Sequence, residues 1–175
     1  VHSGVLDIDR DTLFEICHAL LRSKGASHHN AVVEINATQL ERGVLHIDGD
    51  EEYLKMCLKT YNQLNMEAVG RCIHEEKQFE HVVQLLDEYR PDILVLTGHD
   101  ALIGGGKKDF KDLNNYRNSR YYIESVKRAR AFETSRDDLV IFAGACQSYF
   151  EAILAAGANF ASSPTRIFIH AYDPV

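Results

Sequence analysis

The chain has 175 residues, enough for one domain with a full hydrophobic core and hardly enough for two. Its composition, 45% hydrophobic and 26% charged with 3 prolines, is typical of an ordinary globular α/β protein and argues against a disordered chain. The net charge of −7 argues against nucleic-acid binding, and no apolar run approaches the roughly 20 residues that a membrane span requires.

The chain divides at Gly43 into a segment with little pattern and a segment with a regular one. Residues 9–25 predict one amphipathic helix, which is capped by an aspartate and ends at Gly25. Residues 31–40 fit a strand or a helix equally well. We therefore predict an N-terminal segment over residues 1–42 and an α/β domain over residues 43–175.

Short apolar strands and amphipathic helices alternate throughout the second segment. In chain order we predict strand 44–48, helix 51–64, strand 68–73, helix 79–89, strand 92–97, helix 116–132, strand 138–143, helix 147–156 and short strands at 159–162 and 166–170. Alternation of this kind requires a parallel sheet that is covered by helices on both faces.

Two of these strands are each followed, past a glycine, by a reactive side chain. The run 93–97 leads to His99, and the run 139–143 leads to Cys146. The carboxyl ends of parallel strands meet at one edge of the sheet, which is where ligands bind in open α/β folds. A cysteine beside a histidine is an activated nucleophile with its general base. The pattern therefore predicts a cysteine hydrolase.

The surroundings of this pair favour the same chemistry. The helix predicted from residue 147 would direct its positive end at Cys146 and favour a thiolate. The backbone N–H groups of Gly98 and Cys146 are candidate oxyanion donors. His99 precedes Cys146 by about 50 residues, which is the separation found in caspases. The alternative interpretation is a buried thiol in a tight turn and an ordinary surface histidine.

Acidic residues are expected at the same edge. Asp48 and Asp50 follow the strand 44–48, and Asp173 follows the last predicted strand. Such carboxylates would suit a basic substrate side chain, above all arginine, whose guanidinium pairs with them bidentately. Alternatively, Asp48 and Asp50 form only a turn and a helix cap. We expect Asp100 to fix the loop rather than to orient His99.

No cofactor is expected. The histidines and cysteines lack the spacing of metal ligands, and the glycine-rich run 104–108 lacks the spacing of a phosphate-binding loop.

Six stretches carry a family resemblance. They are VLHIDGDE (44–51), YRPDILV (89–95), TGHD (97–100), LVIFAGACQS (139–148), AGANFASSP (156–164) and HAYDPV (170–175). In these the chain resembles the sporulation-specific cysteine protease YabG family of spore-forming bacteria. The resemblance extends from Gly43 to the end of the chain, leaves residues 1–42 unmatched, and implies that the catalytic domain continues beyond Val175.

The resemblance also implies a fold and an activity. The fold would be a caspase-like three-layer sandwich with a mostly parallel central sheet flanked by helices. The activity would be that of an endopeptidase that cleaves spore coat and germination-related proteins after arginine, and that also cuts itself. It would act in the cytoplasm of the sporulating cell and later in the spore coat. His99 and Cys146 would take the roles of the catalytic dyad.

Two rival functions remain open from the residues alone. One is another cysteine hydrolase, such as an amidase, which would act on a small amide. The other is a non-catalytic flavodoxin-like binding or coat-scaffold module. Neither the residues nor the resemblance indicates the oligomeric state.

Overall fold

The computed structural model describes residues 43–103 and 109–165, in which strands and helices alternate along the chain. The elements are β1 (Val44–Asp48), α1 (Glu51–Gln63), β2 (Ala68–Cys72), α2 (Glu75–Tyr89), β3 (Ile93–Thr97), a 3-10 turn (Leu113–Asn115), α3 (Ser119–Phe132), β4 (Val140–Ala143), α4 (Phe150–Ala155) and β5 (Phe160–Ala161). The predicted helix within residues 9–25 and the predicted strand 166–170 lie outside the described residues.

The described strands form one parallel sheet in the order β2-β1-β3-β4-β5. The chain first runs from β1 to β2 on one side and then returns to β3 on the other side of β1. The order of the strands therefore reverses between β1 and β3, and at such a switch point a crevice opens beyond the carboxyl ends of the strands. The predicted α/β class with a parallel sheet is confirmed.

The apolar runs become central strands because both faces of the sheet are covered. Every residue of β1 and β3 is buried. One face packs against α2 and α3 through a cluster that includes Leu45, Ile47, Leu94, Leu96, Ile141, Val82, Leu86 and Val126. The other face packs against α1 through Val44, Val95, Val140, Phe142, Cys57 and Tyr61. The result is the predicted three-layer arrangement, a sheet between helices.

Side-chain capping and backbone conformation set the start of α1 and the end of α2. Asp50 caps α1, because its side chain accepts hydrogen bonds from the backbone N–H groups of Glu52 and Tyr53. Helix α2 ends at Tyr89, and its C-cap Arg90 is left-handed with φ of 46° and directly precedes Pro91. In the part of the chain that the structure describes, no helix combines the length and the apolar character that a membrane crossing requires.

Helix α3 starts three residues later than predicted. Tyr116 forms an antiparallel bridge with Leu102 instead of entering the helix, and its ring stacks on Tyr149 at 5.0 Å between centroids. Tyr116 fits the helical periodicity of the sequence because its side chain is buried. In the structure, however, this buried residue lies in the loop before the helix.

Candidate active site

The loops that carry His99 and Cys146 leave the sheet side by side. β3 and β4 are neighbouring parallel strands, and Leu96 is paired with Ala143 at their carboxyl ends. The N–H of Gly144 then donates to the carbonyl of Leu96 at 3.0 Å, which extends the ladder by one bond. The two loops therefore begin at the same edge of the sheet.

Asp100 joins these two loops through its buried carboxylate. Oδ2 accepts hydrogen bonds from the hydroxyls of Ser148 at 3.0 Å and Ser119 at 2.5 Å. Oδ1 accepts from the backbone N–H groups of Ala101 and Asn118, both at 2.8 Å. Burial raises the pKa of Asp100, although these hydrogen bonds act in the opposite direction. The carboxylate thus ties the loop after β3, the loop after β4 and the start of α3 together.

The loop of Cys146 is not helical, and the prediction of a helix from residue 147 is wrong. Helix α4 begins only at Phe150, and Gln147 is left-handed with φ of 58°. The hydroxyl of Ser148 accepts a hydrogen bond from the N–H of Ala145 at 2.9 Å while it donates to Asp100. These side-chain bonds hold the segment in a tight turn. Cys146 therefore lies outside the first turn of a helix, and the argument from the helix dipole fails.

His99 has a fixed backbone and an accessible ring. Its N–H donates to Glu75 Oε1 at 2.5 Å, and its carbonyl accepts a hydrogen bond from Asn118 Nδ2 at 2.8 Å. The side chain is 57% exposed; Nδ1 lies 3.5 Å from Glu75 Oε1 and Nε2 lies 4.0 Å from Asp50 Oδ2. A bound molecule can therefore reach the imidazole while the surrounding structure holds the residue in place.

Tyr122, on α3, contacts the loop that carries His99. Its hydroxyl is within 3.5 Å of the carbonyl of His99, and the side chain is fully buried. Burial raises the pKa of Tyr122 well above its ordinary value, and the nearby negative charges add to that effect. These charges belong to Glu75, Asp100 and Asp48, and Cys146 is also within electrostatic range of Tyr122. Tyr122 therefore lies near both the thiol and the His99 loop.

The three acidic candidates differ in their accessibility. Asp48 is 4% exposed, accepts hydrogen bonds from Thr97 Oγ1 at 2.5 Å and the N–H of Asp50 at 2.7 Å, and lies 3.6 Å from His46. Burial opposes ionisation of Asp48, but the bonds to His46, Thr97 and Asp50 outweigh it and lower the pKa. Asp50 has a side chain that is 32% exposed. Asp173 lies outside the described residues. The acidic pocket stays a prediction.

A cavity of about 320 Å³ opens beside His99. Its lining consists of His74, Glu75, Glu76, His99, Arg117 and Asn118. The residues that the structure describes contain no group of three or more potential metal ligands. Of these six residues, sequence reasoning singled out only His99. It missed the buried Glu75, which precedes the predicted helix 79–89 and which the sequence does not distinguish from exposed Glu76.

Comparison with known proteins agrees with the predicted family. A family model described as YabG peptidase U57 matches residues 9–175. The chain belongs to the YabG peptidase family. This match begins well before Gly43, where the motif resemblance begins. No solved structure matches the chain.

A curated relative with the same family name is the sporulation-specific protease YabG of Bacillus subtilis (strain 168). It is 54% identical to this YabG-family chain over 132 residues. The aligned part is 75% of this chain and 45% of the relative. The chain therefore spans less than half the length of that relative.

Proposed function

We propose that this YabG-family chain carries the catalytic residues of a cysteine endopeptidase that acts during sporulation. The observation that best supports the proposal is the hydrogen bond between Asp100 and Ser148. It connects the loop of His99 to the loop of Cys146 at one edge of the sheet, beside the switch point. Family membership and the sporulation-specific relative support the same activity.

The proposed reaction has two chemical stages. The thiolate of Cys146 attacks the peptide carbonyl, a C–S bond forms, and His99 protonates the departing amine as the C–N bond breaks. His99 then takes a proton from water, the resulting hydroxide attacks the acyl carbon, and the C–S bond breaks, which releases the acid and restores the Cys146 thiolate beside protonated His99. The backbone N–H groups of Gly98 and Cys146 are the proposed donors to the transient oxyanion. The reaction needs no cofactor.

The proposed substrates are spore coat and germination-related proteins, cut after arginine, and the chain itself. Accordingly, the place of action would be the cytoplasm of the sporulating cell and then the spore coat. Of the two acidic candidates that the structure describes, Asp50 is the better placed to bind the arginine. Its Oδ1 caps α1, but its Oδ2 lies 4.0 Å from the His99 imidazole and the side chain is partly exposed, whereas both oxygens of Asp48 accept hydrogen bonds within the fold.

Replacement of Asp50 by asparagine is expected to lower kcat/KM for cleavage after arginine by about 10-fold to 100-fold, the value of one charge-assisted bond. Cleavage after citrulline, the neutral isostere of arginine, should change little. Asparagine remains a good helix cap, so α1 should keep its stability. The measurement is the ratio of kcat/KM for matched arginine and citrulline peptides, with Asp87→Asn as the exposed control. An unchanged ratio would remove Asp50 from the pocket.

The proposed function is tested by trapping the nucleophile. A peptidyl-arginine acyloxymethyl ketone, which alkylates a cysteine only after it binds as a substrate, should add one peptide mass to Cys146. The chain provides internal controls, since Cys72 is exposed, while Cys57 is buried and burial raises its pKa to about 12. Peptide mapping by mass spectrometry identifies the labelled residue.

Three outcomes would contradict the proposal. Equal labelling of Cys72 and Cys146 would show ordinary thiol chemistry without a substrate site. No labelling of Cys146 would favour the non-catalytic scaffold. Labelling of Cys146 by a small amide reagent, with no reaction toward the arginine peptide, would favour the amidase.

A further inference from the structure

Glu75 is a buried acid in the middle of the candidate site, and the dyad chemistry described above does not use it. It is the first residue of α2, and only 2% of it is exposed. The start of a helix stabilises a negative charge, because unpaired N–H groups and the helix dipole face it. A buried carboxylate nevertheless needs specific partners to offset its loss of hydration.

Two glycines make room for this carboxylate. Gly49, in the loop after β1, and Gly98, in the loop after β3, each face the Glu75 side chain so closely that a Cβ at either position would overlap it. Gly98 also has φ of 144°, a conformation that other residues rarely adopt. The loops on both sides of the switch point are therefore built around the Glu75 carboxylate.

The carboxylate is shared between two histidines. Oε1 accepts the N–H of His99 at 2.5 Å and lies 3.5 Å from Nδ1 of the same residue. Oε2 lies 3.0 Å from Nδ1 of His74, whose side chain is 77% exposed. On the other side of the imidazole, Asp50 lies 4.0 Å from Nε2. The charged residues Glu76 and Arg117 line the same cavity.

This geometry suits a group that controls the orientation of the imidazole. A small rotation of the exposed ring would shorten the 3.5 Å separation to a hydrogen bond, and such bonds often tighten only when substrate is present. A bond from Nδ1–H to the carboxylate would select one tautomer and leave Nε2 to exchange the proton with substrate. The negative charge would also stabilise the imidazolium that forms during the reaction.

We propose that Glu75 is a positioning residue for His99, a role that rests on the proposed cysteine peptidase function. Its buried carboxylate holds the imidazole by Nδ1 and stabilises the protonated ring while Cys146 attacks. The site would then contain a Cys146–His99–Glu75 arrangement in which the third member comes from the start of α2, 24 residues before His99.

The test is Glu75→Gln with Glu88→Gln as its control, because Glu88 is an exposed glutamate near the other end of the same helix and outside the cavity lining. Glutamine keeps the shape of the side chain and an oxygen that accepts the His99 N–H, but it loses the charge. We expect kcat to fall about 100-fold at unchanged KM, with an unfolding midpoint close to that of the wild type. The control should keep its activity. Equal kcat in the two variants would overturn the proposal.

A second variant tests whether the negative charge of residue 75 orients the His99 imidazole or whether the residue has only a structural role. Glu75→Asp keeps a carboxylate on a shorter side chain and should recover at least tenfold of the kcat lost in Glu75→Gln. Aspartate and glutamine variants of equal kcat would overturn the proposal.

Failure of the peptidase function itself is recognised separately. In that case Cys146→Ala would cleave the same peptide as fast as the wild type, whatever the residue at position 75.

Discussion

Replacement of Cys146 by alanine is expected to abolish peptide-bond hydrolysis, with kcat lowered by about 10⁵-fold or more. Loss of the nucleophile has an effect of this size in proteases of the acyl-enzyme type, because no covalent intermediate can form. Cys146 is partly exposed in a turn, so alanine should leave the fold intact. The measurement is cleavage of an arginine-containing protein, followed by N-terminal sequencing of the products.

Cys72→Ala provides the control for this substitution. Cys72 is also an accessible cysteine, but it lies at the end of β2, the outer strand of the described sheet on that side. The Cys72→Ala variant should cleave the protein at the wild-type rate and at the same bonds. Equal cleavage by wild type and Cys146→Ala would end the assignment of the peptidase site to this edge of the sheet.

Replacement of Asp100 by alanine is expected to lower the free energy of unfolding by about 3–5 kcal/mol. The substitution leaves two buried serine hydroxyls and two backbone N–H groups without the acceptor that they share. Denaturant unfolding followed by circular dichroism measures the loss. Asp87→Ala is the matched control, because Asp87 forms an exposed pair with Arg90 and should change stability by less than about 1 kcal/mol. A similar small change in both variants would contradict the prediction.

Asp100→Asn adds a prediction about pH. Burial raises the pKa of Asp100, so the folded protein holds this proton more tightly than the unfolded chain does. The corresponding stability is fully present below the unfolded pKa of about 3.9 and is lost as the pH rises through the folded pKa. Asparagine has no carboxyl group and cannot bind this proton. The wild type should therefore gain stability relative to Asp100→Asn as the pH falls from neutral toward 4, and a constant difference would contradict the prediction.

The sheet was largely predictable because its central strands are buried on both faces. The run at β3 was predicted as 92–97 and is found at Ile93–Thr97, and β1 has the predicted bounds. Continuous β-branched and aliphatic residues that end at glycine have few other solutions in an alternating α/β chain. The paired carboxyl ends of β3 and β4 follow directly from that topology.

The loops were less predictable because their structure depends on contacts between distant residues. The turn that delays α4 to Phe150 is stabilised by Ser148, whose hydroxyl bonds to Asp100 in another loop. Local periodicity cannot detect such a bond. Glu75 was missed for the same reason, since its environment is formed by Gly49 and Gly98 from two other segments. A glycine in each loop was the one hint that the sequence offered.

The hydrogen bond between Asp100 and Ser148 has a consequence for substrate selectivity. Because one carboxylate connects the two loops, the spacing of the loops that carry Cys146 and His99 is set inside the domain rather than by an incoming polypeptide. In the proposed peptidase, a bound substrate would turn the exposed imidazole ring but leave the distance between the loops unchanged. Selectivity among target proteins would then depend on the residues that surround the cavity beside His99. Redesign of specificity should therefore begin with those residues.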